Sequence, residues 1–336
     1  MISVPDDSFY ILAFSGGALL LLPVIVLLVF SIDVALDTYL YAVVILFLSS
    51  MLGVALSAKL EWMVITSADA PLFLDYRDLR NATAAVIVGT IITLGLTVEL
   101  GVPTVVSASI VGIIAAIFFS SVAVPAYCGA FVGMTAPELI PTYWHALFAG
   151  GLASIVYAVS QPVFQGVGGK LGTIAFVGTT LTVVLSDGTF QSGHVPTSTI
   201  VILIVIYSII GAVVTFAIHD YTVADAVFAS GIVGLAGGVL LPILYPSTGE
   251  MMAASVFAAS FAGMSDSARL PALYWLIPVG AIAGLFFVYS LPYIGGSGGK
   301  LGTIAFGSVL AVHGFLAVTG KIDINQLTQF PEQNIT

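Results

Sequence analysis

One nine-residue segment, Gly-Gly-Lys-Leu-Gly-Thr-Ile-Ala-Phe, occurs twice in this chain, at Gly168–Phe176 and again at Gly298–Phe306, 130 positions further on. The same offset holds upstream without a gap. Phe131-Val132-Gly133-Met134-Thr135 answers to Phe261-Ala262-Gly263-Met264-Ser265, Pro141 to Pro271 and Pro162 to Pro292. The chain therefore reads as a duplicated unit, and each copy carries one lysine in a glycine-rich turn.

Composition says what surrounds the two units. Charged residues make up 7% and hydrophobic residues 59% of the 336 positions, whereas a water-soluble domain carries about a quarter charged residues. The reading is an all-α, polytopic transmembrane helix bundle in the cell membrane. No polar stretch approaches the roughly 50 residues of a small soluble domain. The first ten residues hold acids but no Lys or Arg, so the basic start of a signal peptide is missing and the first apolar run reads as a retained helix. A net charge of -10 argues against nucleic acid and against a polybasic lipid anchor. The single cysteine, Cys128, excludes an intrachain disulfide and multi-thiolate metal or iron–sulfur sites. HExxH is absent, Gly-x-Ser-x-Gly occurs only as Gly295-Gly296-Ser297-Gly298-Gly299 inside the repeat turn, and the four histidines are scattered, so no enzyme, metal or cofactor is expected.

A spanning helix needs about 20 apolar residues. Two such runs, near 9–31 and 39–58, have no partner in the duplication. With the polar connection 59–81 they form an N-terminal addition, 1–81. Lys59, Arg77 and Arg80 in that connection place it on the cytoplasmic side. The first repeat is 82–197, the second 198–320, and 321–336 is a polar tail. Thr104 to Met134 is too short for two spans and too long for one. It reads as one span plus a short re-entrant or broken piece, Ser120 to Thr135, which must face protein. The second repeat has its own short piece near 251–265. Re-entrant pieces give about ten spans and parallel halves, with Lys59, Arg77, Arg80, Arg269 and Lys321 inside. The alternative lets the short pieces cross, giving 12 spans and inverted halves. Run length and basic-residue placement favour the parallel form.

Pro162 and Pro292 stop the preceding helices. The glycine-rich turns then open new helices at Gly172-Thr173 and Gly302-Thr303. Free N–H groups at a helix start attract negative charge, so Lys170 and Lys300 sit where the dipole disfavours a cation and each calls for a negative partner. A transported anion would supply it, held by the lysines, the N–H groups of Gly169, Gly172, Gly299 and Gly302, and the hydroxyls of Thr173 and Thr303. A fixed internal acid would supply it equally well. Phe131 and Phe261 are candidates for an apolar constriction, with Thr135 and Ser265 offering hydroxyls beside it.

Duplicated halves with broken helices resemble channels and secondary transporters as an architecture. The expected function is passage of a small solute, foremost an anion, between the repeats. One alternative is proton- or cation-coupled transport using Glu138, Asp266 and His145. Another is a non-transporting membrane scaffold or subunit. The expected partners are the lipid bilayer and the solute, with a homo-oligomer left open.

Overall fold

The computed structural model describes residues 6–67, 76–322 and 327, and every statement below concerns those residues. They form twelve α-helices and no strand. α1 is Asp6–Asp37, α2 Tyr41–Ser67, α3 Tyr76–Val98, α4 Thr104–Phe118, α5 Ala123–Gly133 and α6 Tyr143–Val159. α7 is Lys170–Leu185, α8 Ser198–Tyr221, α9 Ala226–Leu244, α10 Gly249–Ala262, α11 Leu276–Ser290 and α12 Lys300–Val318. Seven helical segments are long and apolar enough to cross a membrane. Large apolar side chains such as Phe14, Leu22 and Ile155, each more than 60% exposed, cover the outer faces. Such a surface has lipid, not water, as its solvent, and marks the chain as a membrane protein.

The connection 59–81 is shorter than its polarity suggests. α2 continues to Ser67 and α3 already starts at Tyr76; residues 68–75 lie outside the described residues. Helix continues through Lys59 and Glu61 because Glu61 is buried and paired, as described below.

Thr104 to Met134 folds as two helices. α4 stops at Phe119, where φ is -137° and ψ 45°, and one turn of tighter helix leads into α5. Pro125 lies in the first turn of α5, where its missing N–H costs no intrahelical bond. Most of α5 is buried, as is most of α10. These short helices are wrapped by protein, as broken elements at membrane depth must be.

Helix directions follow from the order of close contacts. Gly129 of α5 packs against Val86 of α3 and Gly133 against Thr90 and Leu94, so α3 and α5 run the same way. In α8 and α10, Gly211 meets Val256 while Gly263 meets Ala212 and Thr215, again the same way. Between α4 and α9 the order reverses: Gly231 lies at Ile113, Gly234 at Ser109 and Gly238 at Val105 and Val106. It reverses also between α7 and α12, where Gly169 lies against Ala305 and Phe306, and Gly299 against Ala175 and Phe176. The turning point of that antiparallel crossing is the pair Gly172 and Gly302. A Cβ added to Gly172 would stand 2.5 Å from the Cα of Gly302, and the converse distance is the same. Only glycine permits this approach, which explains its place in both copies of the motif.

Candidate functional site

The two lysines open α7 and α12. Each follows a glycine in the left-handed region, Gly169 at φ 86° and Gly299 at φ 83°, a conformation that costs other residues about 1 kcal/mol or more. The turn swings each lysine back toward the helix before it. Lys300 Nζ donates to the carbonyls of Ser290, at 2.6 Å, and Tyr293, at 2.5 Å. Lys170 Nζ donates to the carbonyl of Gln161, at 3.3 Å. Ser290 is the last residue of α11 and Gln161 lies just past the end of α6. The negative partner called for by the dipole argument is thus the carbonyl end of the preceding broken helix.

The neighbouring polar groups of the motif are engaged within the protein. Thr135 Oγ1 accepts from the Gly298 N–H at 3.2 Å and donates to the Val132 carbonyl at 2.6 Å. Ser265 Oγ does the same with the Gly168 N–H, at 3.0 Å, and the Ala262 carbonyl, at 2.7 Å. Thr173 and Thr303 donate to the carbonyls of Gly169 and Gly299, one turn back. The Gly302 N–H donates to the Gly299 carbonyl at 3.0 Å. Gly172 and Gly302 form the helix crossing itself. The hydroxyls of Thr135 and Ser265 therefore hold each glycine-rich turn against the opposite set of helices, while Thr173, Thr303 and the Gly302 N–H brace their own turns.

Phe131 and Phe261 do come together, with ring centroids 4.5 Å apart. Behind each stands a second ring: Tyr127 is 4.3 Å from Phe131, and Phe257 is 4.4 Å from Phe261. The diagonal separations, 6.1 Å for Tyr127–Phe261 and 6.2 Å for Phe131–Phe257, also agree. All four side chains are buried. Tyr127 OH finds Ser230 Oγ at 3.1 Å.

A cavity lies on each side of this cluster. One, of about 590 Å³, is bounded by Lys170, the turn Gln165–Gly169, Tyr157, and the ends of α4 and α9 near Ser120 and Asp225. The other, of about 220 Å³, is bounded by Lys300, the turn Gly295–Gly299, Phe287, and the opposite end of α4 at Thr104. Phe131 and Phe261 line both.

Near Lys170 lies a feature with no counterpart at Lys300. Glu61 of α2 and Arg269 form an ion pair of 2.8 Å, with side chains 5% and 2% exposed. Glu61 Oε1 also accepts from the Phe164 N–H at 2.5 Å, and Arg269 Nε donates to the Gln165 carbonyl at 2.8 Å. Both charges act on Lys170. At the position equivalent to Arg269, 130 residues earlier, stands buried Leu139.

The remaining candidates lie outside the two linings, although the Asp266 N–H donates to the Gly166 carbonyl of the Lys170 cavity's turn at 2.9 Å. Glu138 is exposed and accepts from Gln191 Nε2 at 3.2 Å. Asp266 accepts from the Ala268 N–H at 2.8 Å in a tight turn. His145 Nδ1 meets Thr142 Oγ1 at 2.7 Å at the start of α6. None of the three lines either cavity.

Sequence reading missed Glu61 and Arg269, whose 208-residue separation carries no local signal. It missed Tyr157, Gln161 and Gln165 because they differ between the copies. Tyr127 and Phe257 were findable, since both are aromatic at the 130-residue offset. No protein-family model matches the chain, and no curated protein and no solved structure is significantly similar to it.

Proposed function

We propose that this protein is a channel or secondary transporter for a small solute, with its path running through the two cavities and closed between them by Phe131 and Phe261. One observation carries the reading: two cavities approach from opposite ends of α4 and end at the same pair of rings. Both cavities open to the surroundings and are not sealed voids, as the two ends of a path must be.

We read α3–α7 and α8–α12 as two inverted repeats, each crossing five times, with α1 and α2 added, for 12 passes. A Tyr143–Glu99 hydrogen bond of 3.0 Å puts the start of α6 beside the end of α3. Between those points α4 leaves and α5 returns parallel to α3. An odd number of passes inverts the second unit, which agrees with the antiparallel meeting of α7 with α12 and of α4 with α9. In this reading α5, at 11 residues, is only about 16 Å long, but it travels inside protein and needs no lipid-facing length. Basic-residue placement, expected to favour the parallel form, counts slightly for the inverted one, because Lys170 moves inside. With Lys59 cytoplasmic, Arg77, Arg80, Lys170, Arg269 and Lys321 fall in the inner half and only Lys300 in the outer, so six of the seven basic residues are inside. The Lys170 cavity then opens inward and the Lys300 cavity outward.

Flux in proteoliposomes tests the reading, using nitrate, acetate and glycerol as solutes. The expected result is passage of at least one solute, faster in Phe131→Ala/Phe261→Ala. Wild type and double variant both sealed to all three would reject it.

A further inference from the structure

The geometry points to the Lys170 cavity as a binding site for a small monovalent anion, with no equivalent site at Lys300. The inference rests on the two-cavity reading and adds a substrate class and a side.

Four observations separate the cavities. An ammonium has three N–H donors. Lys300 directs two at backbone carbonyls, at 2.6 and 2.5 Å, whereas Lys170 has one long bond of 3.3 Å. Lys170 thus keeps donor capacity that Lys300 has spent on the fold. The space beside Lys170 is also larger, about 590 against 220 Å³. Lining chemistry differs at matched positions: Tyr157, Gln161 and Gln165 on the inner side correspond to Phe287, Leu291 and Gly295 on the outer. The Lys300 lining keeps hydroxyls at Thr104, Ser290 and Ser297 but has no side-chain amide, whereas Gln161 and Gln165 give the Lys170 lining amide donors that an anion can use.

Charge completes the contrast. Glu61 and Arg269 cancel in the charge count, so a protonated Lys170 leaves that cluster net positive. Asp225 also lines the cavity, but it is exposed at the mouth and its Oδ1 caps α9 by accepting from the Phe228 N–H at 2.7 Å. The Gln161 carbonyl, an acceptor a cation would use, is already bonded to Lys170 and to Gln165 Nε2. A carboxylate or an inorganic oxyanion meets the same donors, and the choice between them is left to the probes.

Calorimetric titration of the purified full-length protein tests this, with sodium acetate and sodium nitrate as probes in a sulfate background. The expected result is saturable binding of at least one probe. Lys170→Gln weakens it by tenfold or more and Gln165→Leu by severalfold, while Lys300→Gln binds as wild type does. Acetate alone identifies a carboxylate site, and nitrate alone or both an inorganic-anion site. If Lys170→Gln does not fold, Gln165→Leu and Tyr157→Phe decide, and wild-type affinity in both overturns the inference. So does absence of binding to wild type, or equal loss in Lys170→Gln and Lys300→Gln. Flux without anion binding would overturn this site and leave the path standing. Anion binding without flux would do the reverse.

Discussion

Lys170 and Lys300 share nine residues of sequence and the same kind of partner, the carbonyl end of the preceding helix, but differ in how fully that partner holds them and in what else surrounds them. At Lys300 the ammonium is locked by two short bonds to the end of α11 and the turn after it, in a smaller and less polar recess. At Lys170 one longer bond leaves the group facing a larger and more polar space, buttressed by Glu61 and Arg269. The lesson is that the motif encodes the helix break and the crossing, which both copies need. The flanking residues encode what each cavity does.

Several changes would break or sharpen that comparison. The largest effect is expected at the ion pair. Arg269→Leu copies the situation at Leu139 but strands Glu61 in the interior, and an unpaired buried charge costs about 3–5 kcal/mol. Adding Glu61→Leu should recover much of that loss, because no charge is then left alone. Thermal unfolding in detergent reads both, and a double variant no better than the single would show that the pair is not the cause.

Next comes the crossing. Gly172→Ala and Gly302→Ala each push a methyl into the opposite backbone, at about 1–3 kcal/mol. The two should cost alike, since each faces the other. A cost at one and none at the other would contradict the close approach.

The lysines themselves should differ. Lys300→Met removes two short charge-assisted bonds, a loss of about 2 kcal/mol, and Lys170→Met about 1 kcal/mol or less. Equal losses in thermal stability would remove the structural basis for treating the sides as distinct. Smallest of all is Tyr127→Phe, which makes the ring cluster match Phe257. Ser230 keeps its bond to Ser260, 2.9 Å away, so the change should cost about 1 kcal/mol or less and leave solute flux unaltered.

Much of the fold was legible in the chain because lipid solvation simplifies the code. Apolar runs and prolines marked α6 and α11, which end at Val159 and Ser290 just before Pro162 and Pro292. The burial of the short pieces α5 and α10 followed from the need to cover broken backbone. Direction was harder. It depends on where α5 lies against α3, and run length says nothing about that. The candidate site was legible in its repeated parts, Phe131, Phe261 and the two lysines, because repetition singles residues out. Glu61 was not, since a carboxylate near a helix end reads as solvated until a partner 208 positions away is known. Thr135 and Ser265 were singled out by the same repetition, yet their hydroxyls hold Gly298 and Gly168. A repeated polar residue marks a contact both units make, whether to a solute or to each other.

The central claim is that the two units are inverted about the Gly172–Gly302 crossing, so that one cavity opens to each face. In a Cys128→Ser background, single cysteines at Gln165 and Ser297 report on the two cavities, which those residues line. An impermeant thiol reagent applied to intact cells should label Ser297→Cys and spare Gln165→Cys, and inside-out vesicles should give the reverse. Labelling of both positions from the same face would contradict the account.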